Sequence, residues 1–337
     1  MSRPTPSWLT EMVRQAKRGA GTPTVEATRS LLARLELPTV CESARCPNRG
    51  ECFSHSTATF LILGDVCTRG CAFCAVKRAK RPQPPAHDEP DRLALAAIGL
   101  GLRHIVVTSV TRDDLEDGGA GHYAAVVRAL RRQCPGVTIE LLVPDFRGSA
   151  DALRTVVASR PDILAHNIET VPRLYPAVRR GAEYPRSLRL LELAKNEEPE
   201  LVTKSGLMLG LGETDAEVDE VLEDLRHVRC DMLTIGQYLA PTMRHARVER
   251  YLTPAEFGRW YEKALAMGFK SVASGPLVRS SYKAPVFYGD MQDGRGAMCG
   301  RRPGAGCAAS EHGEPSPREG GSPRQSSMRM ARRFDAQ

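Results

Sequence analysis

Apolar and polar positions follow two different spacings along most of the chain. Short apolar runs typical of buried strands precede longer stretches whose apolar residues recur every three or four positions, as on one helix face. One such stretch, TDAEVDEVLEDLRHV, begins with the capping-box pair Thr214 and Glu217. The strand candidates are ATFLILGD (58–65), HIVVTSV (104–110), TIELLVPD (138–145), DILAHNIE (162–169), LVTKSGLML (201–209) and MLTIGQYL (232–239).

Six strand–helix units in series predict an α/β fold with a parallel sheet covered on both faces. The units could curl into a partial (βα)6 version of the TIM-type barrel or form an open doubly wound sheet, and periodicity does not separate the two. Either arrangement places functional residues at the carboxyl ends of the strands. The polar residues found there are Thr108, Ser109, Asp145, Asn167, Glu169 and Gln237.

The two ends of the chain differ from this central part. Residues 1–57 indicate an N-terminal arm with one short helix and a cysteine-rich, irregular stretch, and residues 58–289 hold the repeated units. Residues 290–337 are rich in Gly, Pro, Ser and Arg with few large apolar side chains. Such a segment cannot offset its ordering entropy by burial, so we predict a disordered tail.

Composition changes this picture mainly through its ten cysteines. We find no signal peptide and no apolar run of membrane-spanning length, which predicts a soluble, cytoplasmic protein. In a reducing compartment, clustered cysteines indicate metal binding or catalysis more often than disulfides. The net charge of +7 is scattered, and solubility explains it better than a nucleic-acid partner does.

The first cysteine cluster follows the first strand candidate directly. Cys67, Cys71 and Cys74 have the spacing C-x3-C-x2-C, and no further cysteine follows before Cys134. Thiolates suit zinc or iron–sulfur clusters. Three thiolates on a four-iron cube leave one iron open to another ligand, which indicates reactivity. The alternative is a structural zinc with a distant fourth ligand.

The segment CTRGCAFC resembles the C-x3-C-x-aromatic-C motif of the radical S-adenosylmethionine (SAM) superfamily, with Phe73 as the aromatic. The resemblance implies a [4Fe-4S] cluster on Cys67, Cys71 and Cys74 whose open iron binds SAM. Reductive cleavage of SAM would then yield methionine and a 5′-deoxyadenosyl radical that abstracts hydrogen from unactivated C–H bonds. It also implies a partial barrel of six βα units.

A second cluster, Cys41, Cys46 and Cys52, precedes the barrel with the spacing C-x4-C-x5-C. Zinc or surface thiols are the alternatives, although two zinc sites that each lack one ligand would be hard to explain. The spacing resembles the lipoyl synthase family. The resemblance covers about residues 8–283, including TATFLILGDVCTRGCAFCAVK, TSVTRDDLEDGG, HNIETVPRLYP, TKSGLMLGLGE and GPLVRSSY.

This resemblance implies an auxiliary [4Fe-4S] cluster on Cys41, Cys46 and Cys52. Its fourth ligand would be a serine of the RSSY segment, Ser280 or Ser281, and we predict Ser281. The family consumes this cluster to insert sulfur at C6 and C8 of an octanoyl chain on a lysine of a lipoyl carrier domain. The carriers would be 2-oxoacid dehydrogenase E2 subunits and the glycine cleavage H protein. A reductant such as flavodoxin or ferredoxin and an iron–sulfur carrier are also expected, but neither nucleic acid nor a membrane.

By family position, six residues could contact SAM, although polar residues in such places could merely cap loops and helices. An arginine would suit the methionine carboxylate, and a glutamate would suit ribose hydroxyls or the sulfonium. These candidate SAM contacts are Phe73, Ser109, Asn167, Glu169, Arg180 and Gln237. The predicted catalytic residues are the cluster ligands Cys67, Cys71, Cys74 and Ser281.

Two other functions compete with this hypothesis. A sulfur-inserting radical SAM enzyme acting on dethiobiotin would lack the C-x4-C-x5-C cysteines before the barrel. A zinc-bearing nucleic-acid-binding protein would need a basic stripe interleaved with aromatics, yet only 5% of the residues are aromatic. Lys283 after the RSSY segment and the long tail depart from the family pattern, and neither change touches a predicted ligand.

Overall fold

The structure is a computed structural model that describes residues 4–18 and 21–293. In chain order, its strands are β1 (Thr59–Ile62), β2 (Val66–Cys67), β3 (Lys77–Arg78), β4 (His104–Ser109), β5 (Thr138–Leu142), β6 (Ile163–Ala165), β7 (Val202–Leu209), β8 (Met232–Gln237) and β9 (Ser271–Gly275). All six predicted strands are present.

The α-helices alternate with these strands after an N-terminal group of four. They are α1 (Ser7–Ala16), α2 (Pro23–Arg34), α3 (Val40–Ser43), α4 (Arg49–Ser54), α5 (Glu89–Gly99), α6 (Ala120–Gln133), α7 (Ala150–Ala158), α8 (Tyr175–Val178), α9 (Tyr184–Glu197), α10 (Asp215–His227), α11 (Pro254–Ala266) and α12 (Ala284–Gln292). The last helix extends past residue 290, where the predicted tail begins, and most of that tail lies outside the described residues.

Seven parallel strands form the main sheet in the order β1-β4-β5-β6-β7-β8-β9. The order never reverses, so right-handed crossovers place every connecting helix on the same side, and the sheet curls around its other face. A doubly wound sheet would instead change direction at a switch point. Because β1 and β9 do not pair in the described residues, the barrel is partial, as predicted.

One strand of the sheet was missed by the sequence reading. β9 has the sequence SVASG and pairs with β8 from Ser271↔Met232 to Gly275↔Gly236. Its small residues give no strong apolar run, although the strand is almost completely buried. Tertiary packing therefore decides its conformation where local propensity is weak.

Local signals hold where the chain turns into a helix. The Thr214 hydroxyl accepts a hydrogen bond from the Glu217 backbone N–H, and the Glu217 carboxylate accepts one from the Thr214 N–H, which confirms the predicted capping box. Thr253 and Glu256 form the same box at the start of α11. The apolar residues of these helices pack against the outer face of the sheet.

The N-terminal arm covers the free edge of β1. Thr39 forms an antiparallel bridge with Phe60, and the Leu61 N–H donates to the Pro38 carbonyl oxygen at 3.0 Å. Covering an edge in this way removes an open template for pairing with another chain. The arm thereby brings its cysteines beside the gap between the first and last strands.

No helix in residues 4–18 and 21–293 combines the length and the apolar character that crossing a membrane requires.

Candidate active site

The first cysteine cluster lies on a loop that leaves the carboxyl end of β1. Cys67 ends β2 and pairs in parallel with Arg78 of β3, so the two-stranded ribbon closes the loop that carries Cys71 and Cys74. The Arg69 N–H points back to Cys67 and donates to its sulfur at 3.4 Å. We call residues 67–76 the cysteine loop.

Neighbouring loops at the same end of the barrel anchor the cysteine loop through backbone hydrogen bonds. The Thr68 N–H donates to the Thr111 carbonyl at 3.0 Å, after β4. The Ala72 N–H donates to Val178 in α8 at 2.8 Å, and the Ala72 carbonyl accepts from Ala246, after β8, at 2.8 Å. Three crossover loops thus fix the positions of the thiols.

Arg69 is the main polar anchor of the cysteine loop. Its guanidinium donates to both oxygens of Asp113, at 2.7 and 2.8 Å, and to Asp145 at 2.6 Å. Arg186 approaches the other oxygen of Asp145 at 3.3 Å. Burial alone would raise the pKa of Asp145, but the hydrogen bond and charge of Arg69 outweigh it and lower that pKa to about 2.

We expect Asp145→Asn to lower the free energy of unfolding by about 2 kcal/mol near neutral pH, because the pKa of Asp145 is depressed in the folded state. The stabilisation is present above about pH 4 and is lost as the pH falls toward 2. Urea titrations at pH 7 and pH 3 check this expectation. Asp151→Asn, on an exposed i,i+3 pair with Arg154, is the control and should change stability by under about 0.5 kcal/mol. A difference as large at pH 3 as at pH 7 would contradict the linkage.

The thiols of the loop are largely shielded from water. Burial raises the pKa of Cys71 to about 12, against a lowering contribution from the Arg179 charge, and the neighbouring Cys74 raises it further. Burial likewise raises the pKa of Cys74 to about 11. Iron would displace these protons, since thiolates are the ligand form, so metal binding is coupled to proton release.

The second cysteine set lies at the start of the sheet, in the arm. Cys41 is in α3 and Cys52 is in α4. Cys46 lies in the turn between these helices, and its backbone N–H donates to the Cys41 carbonyl at 3.1 Å. Burial raises the pKa of Cys52 to about 12, and the neighbouring Cys41 and Cys46 add to that increase. The three thiols therefore share one enclosed region.

The soft thiolate donors of both cysteine sets suit iron–sulfur clusters as well as zinc. All eight cysteines in the described part of the chain are free thiols. Within that part, no group of three His, Cys, Asp or Glu side chains converges on a point that could hold one metal ion. A tetrahedral zinc needs its ligands around a single centre, whereas a four-iron cube binds each thiolate at a different iron.

The segment after β9 contacts the arm at two points and β1 at a third. The Asn48 side chain donates to the Leu277 carbonyl at 2.7 Å, and the Tyr282 hydroxyl lies 2.9 Å from a Glu51 carboxylate oxygen. The Thr59 hydroxyl donates to the Ser281 hydroxyl at 2.7 Å. Thr59 also hydrogen-bonds Cys41, so one residue links Ser281 to the second cysteine set.

The two serines of this segment face different partners. The Ser280 hydroxyl donates to Asn167, after β6, at 3.0 Å, whereas Ser281 faces Thr59 and the arm. A side chain at Gly206 would meet both Asn167 at 2.8 Å and Ser280 at 2.9 Å. Gly206 in β7 thus leaves the space that the segment occupies, and Gly236 in β8 does the same for Val278. Neither glycine belongs to a local sequence pattern that would indicate this role.

Known proteins similar to this chain identify its family. A model of the Radical SAM superfamily matches residues 61–225. The lipoyl synthase of Caldanaerobacter subterraneus subsp. tengcongensis is 58% identical over 257 residues, covering 76% of this chain and 90% of that protein. The lipoyl synthase of Trichlorobacter lovleyi is 56% identical, covering 83% and 96%. This chain belongs to the lipoyl synthase family. The predicted resemblance is confirmed, and the chain is a radical SAM enzyme.

Structural similarity agrees on the fold. The crystal structure of HydG, a maturase of the [FeFe]-hydrogenase, aligns with a TM-score of 0.51 at 11% identity, covering 77% of this chain and 65% of HydG. Membership of the Radical SAM superfamily implies that this lipoyl synthase family member uses one [4Fe-4S] cluster and SAM as cofactors.

Asn167 and Glu169, two predicted SAM contacts, lie together between the cysteine loop and the RSSY segment. The Asn167 amide donates to Glu169 at 3.0 Å. Glu169 has a φ of 67°, which is rare for a residue with a side chain and typical of functional sites. Burial raises the pKa of Glu169, although Arg179, Asn167 and Arg279 favour its charged form.

Phe73 and Ser109 make no polar contact with Asn167 or Glu169 in the described residues. Phe73 packs against the small apolar cluster of Val178, Leu211, Tyr238 and Val248. Ser109 ends β4 beside the hydroxyl of Tyr123, which donates to Leu142. Both remain predicted SAM contacts of this lipoyl synthase family member.

In the described residues, neither Arg180 nor Gln237 forms a hydrogen bond with Asn167 or Glu169, and both stay predicted SAM contacts. Arg180 is exposed. Gln237 is fully buried, its amide nitrogen contacts the carbonyls of Leu209, Tyr238 and Arg250, and its oxygen accepts from the Leu252 N–H at 2.9 Å. Gln237 therefore fastens β8 to the following loop, and a SAM contact would compete with those hydrogen bonds.

Arg179 is a site residue that sequence reasoning missed. Its guanidinium donates to Tyr175 and Ser187 at 2.8 Å each and lies over the Tyr175 ring at 5.4 Å. Its charge lowers the pKa of both Cys71 and Glu169 against the effect of burial. Arg179 and Arg180 are adjacent and cannot be distinguished in the sequence. Because α8 ends at Val178, the side chain of Arg179 turns inward and that of Arg180 is exposed.

Proposed function

We propose that this chain is a lipoyl synthase that inserts sulfur at C6 and C8 of an octanoyl chain attached to a lysine of a carrier protein. One observation carries the proposal: two separate sets of three thiols, of which Cys41 is buried and the others are half-buried, are connected through the RSSY segment. Ser280 contacts Asn167 on one side, and Ser281 contacts Thr59 and, through it, Cys41 on the other. Relatives named lipoyl synthase are 58% and 56% identical to the chain, which supports the same activity.

In this proposal, Cys67, Cys71 and Cys74 hold a [4Fe-4S] cluster with one iron free for SAM. When bound, the cluster and SAM together supply the electron and the carbon-centred radical needed to remove hydrogen from an unactivated C–H bond. The chain fixes the three thiols through Arg69 and the backbone contacts of Thr68 and Ala72. Such positioning limits the movement of the reacting atoms.

Asn167 and Glu169 would bind the polar parts of SAM. Both are held in place before any ligand arrives, because the Glu169 N–H and carbonyl pair with Gly206 and Met208 of β7, each at 2.9 Å. Burial raises the pKa of Glu169, so a nearby sulfonium or ribose hydroxyl would stabilise the carboxylate.

Cys41, Cys46, Cys52 and Ser281 would hold the auxiliary [4Fe-4S] cluster, which supplies the sulfur. A serine oxygen is a harder ligand than a thiolate and matches cluster iron less well. Three strong ligands and one weaker ligand would hold the cluster and still permit one iron to leave. The contacts of Asn48 and Glu51 with residues 277–282 keep Ser281 beside the thiols.

Arg279 would lie between the two clusters. Burial lowers the pKa of its guanidinium, and the neighbouring Cys46 and Glu169 favour the charged form. One positive charge thus faces an anionic group of each site.

The carrier would be an octanoylated E2 subunit or H protein. A flavodoxin or ferredoxin would supply electrons, and an iron–sulfur carrier would rebuild the auxiliary cluster. These partners follow from the chemistry of the family, because each turnover needs low-potential electrons and consumes sulfide.

Iron, acid-labile sulfide and zinc per chain, measured after anaerobic reconstitution, test the proposal. Two clusters should give about eight irons, and octanoylated H protein should then gain two sulfur atoms by mass spectrometry. About four irons would leave the radical chemistry without its sulfur source. Zinc without iron would exclude the proposal.

A further inference from the structure

Four surface segments that adjoin the cysteine loop carry exposed basic residues. Segment 77–81 continues from β3, which pairs with Cys67, and segment 145–147 follows Asp145, which binds Arg69. Segment 178–181 begins at the residue that accepts the Ala72 N–H, and in segment 244–246 the His245 ring lies 3.1 Å from the Cys74 carbonyl. We call their exposed cations the basic rim: Arg78, Lys80, Arg81, Arg147, Arg180 and Arg244.

The basic rim is free of ion pairs within the described residues, whereas other surface arginines are paired. Arg154 contacts both Asp151 and Glu197 at 2.8 Å, and Arg173 contacts Glu217 at 2.7 Å. No carboxylate lies within ion-pair distance of any member of the rim in the part of the chain that the structure describes. Six exposed cations on segments around the cysteine loop, without internal partners in the described residues, leave a strong positive potential there.

The fifth segment around the cysteine loop, after β4, is acidic. It exposes Glu116 and Asp117, and Asp117 already accepts the backbone N–H groups of Gly119 and Gly121 at 2.8 and 2.7 Å. The surface around the cysteine loop is therefore basic in four segments and acidic in one. Such an uneven distribution favours one orientation of a charged partner over others.

We propose that the basic rim docks an acidic face of the protein domain that delivers the octanoyl chain. The inference rests on the proposed function, because a lysine-bound acyl chain that reacts beside the cysteine loop requires its carrier to lie against the surface of the enzyme, and the basic rim surrounds that loop. Arginine side chains bind carboxylates through two parallel hydrogen bonds, which adds orientation to attraction. Long-range attraction would also raise the rate of encounter.

A protein partner fits the rim better than a nucleic acid does. The exposed large apolar side chains of the described residues are Leu95, Ile98, Met243 and Val286, and none is aromatic. Nucleic-acid surfaces usually add aromatic side chains on which bases stack. Met243, which is 82% exposed beside Arg244, instead offers the flexible apolar contact common at protein interfaces.

Charge reversal separates this role from general charge effects. The rim variant is the triple substitution Arg81→Glu, Arg147→Glu and Arg244→Glu, which leaves Arg180, a predicted SAM contact, intact. The matched control is Arg34→Glu, Arg128→Glu and Arg189→Glu, which makes the same net change on exposed, unpaired positions of α2, α6 and α9. Both are reconstituted with clusters and assayed with octanoylated H protein and with a short octanoyl-lysine peptide, at low and high salt.

We expect the rim variant to raise the KM for octanoylated H protein about tenfold at low salt, with little change in kcat. The difference should shrink at high salt, because exposed charges are screened. The KM for the peptide and both KM values of the control variant should stay within about twofold of wild type. Single variants Arg81→Gln and Arg244→Gln provide the same comparison if the triple variant does not fold.

Three results would overturn the inference. An unchanged KM for H protein in the rim variant would exclude docking at the rim. An equal rise in KM for the peptide would place the effect inside the site. If the wild-type enzyme binds duplex DNA and the rim variant does not, while the H-protein KM is unchanged, the rim would be assigned to nucleic acid. Failure of the wild-type enzyme to convert either substrate would instead refute the proposed function itself.

Discussion

Cys71→Ala is expected to abolish formation of 5′-deoxyadenosine from SAM while leaving the auxiliary cluster in place. Cys71 lies near the centre of the cysteine loop, between Arg69 and Ala72. The Arg69 side chain binds Asp113, and the Ala72 backbone bonds to neighbouring loops, so both hold this part of the loop in place. Two remaining thiolates cannot hold a four-iron cube that already lacks one protein ligand. Deoxyadenosine should therefore fall to background, and iron should fall from about eight to about four atoms per chain.

Cys134→Ala is the matched control for that variant. Cys134 is buried at the end of α6, and its thiol contacts the Ala94 carbonyl at 3.7 Å, far from either set of three. Its loss should leave both iron content and SAM cleavage close to wild type. Deoxyadenosine formation by the Cys71→Ala enzyme would contradict the assignment of the cysteine loop.

The strands and the cysteine sets could be predicted from sequence because each depends on neighbours in the chain. An apolar run such as HIVVTSV specifies a buried strand locally, and a loop with Cys67, Cys71 and Cys74 needs only eight residues. β9 was missed because SVASG owes its conformation to pairing with β8. Its burial, rather than its composition, makes it a strand.

The details of the site depend on residues far apart in sequence, and no local pattern reports them. The Asn48 contact with Leu277 spans 229 residues, and the Tyr282 contact with Glu51 spans 231. The same holds for Gly206, whose missing side chain matters only because Asn167 and Ser280 fill the space above it. Gln237 looked like a free amide at a strand end, yet the following loop occupies its hydrogen bonds.

Ser281→Ala should leave SAM cleavage largely intact and reduce lipoyl formation at least about tenfold, whereas Ser280→Ala should retain most sulfur insertion. The reason is geometric: Ser281 contacts Thr59 beside Cys41, and Ser280 contacts Asn167. Deoxyadenosine and lipoyl product per chain, both by mass spectrometry, check the split. Mössbauer spectra should lose the distinct oxygen-ligated iron only in the Ser281 variant.

Ser281→Cys separates ligation from sulfur release. A thiolate at this position would complete a four-thiolate set, which matches cluster iron better than three thiolates and a serine oxygen. The variant should therefore keep about eight irons per chain and cleave SAM, yet transfer less sulfur, because the iron that must leave is held more firmly. Full lipoylation by both the alanine and the cysteine variants would show that Ser281 is not a ligand. Loss of lipoylation in Ser280→Ala alone would transfer that role to Ser280.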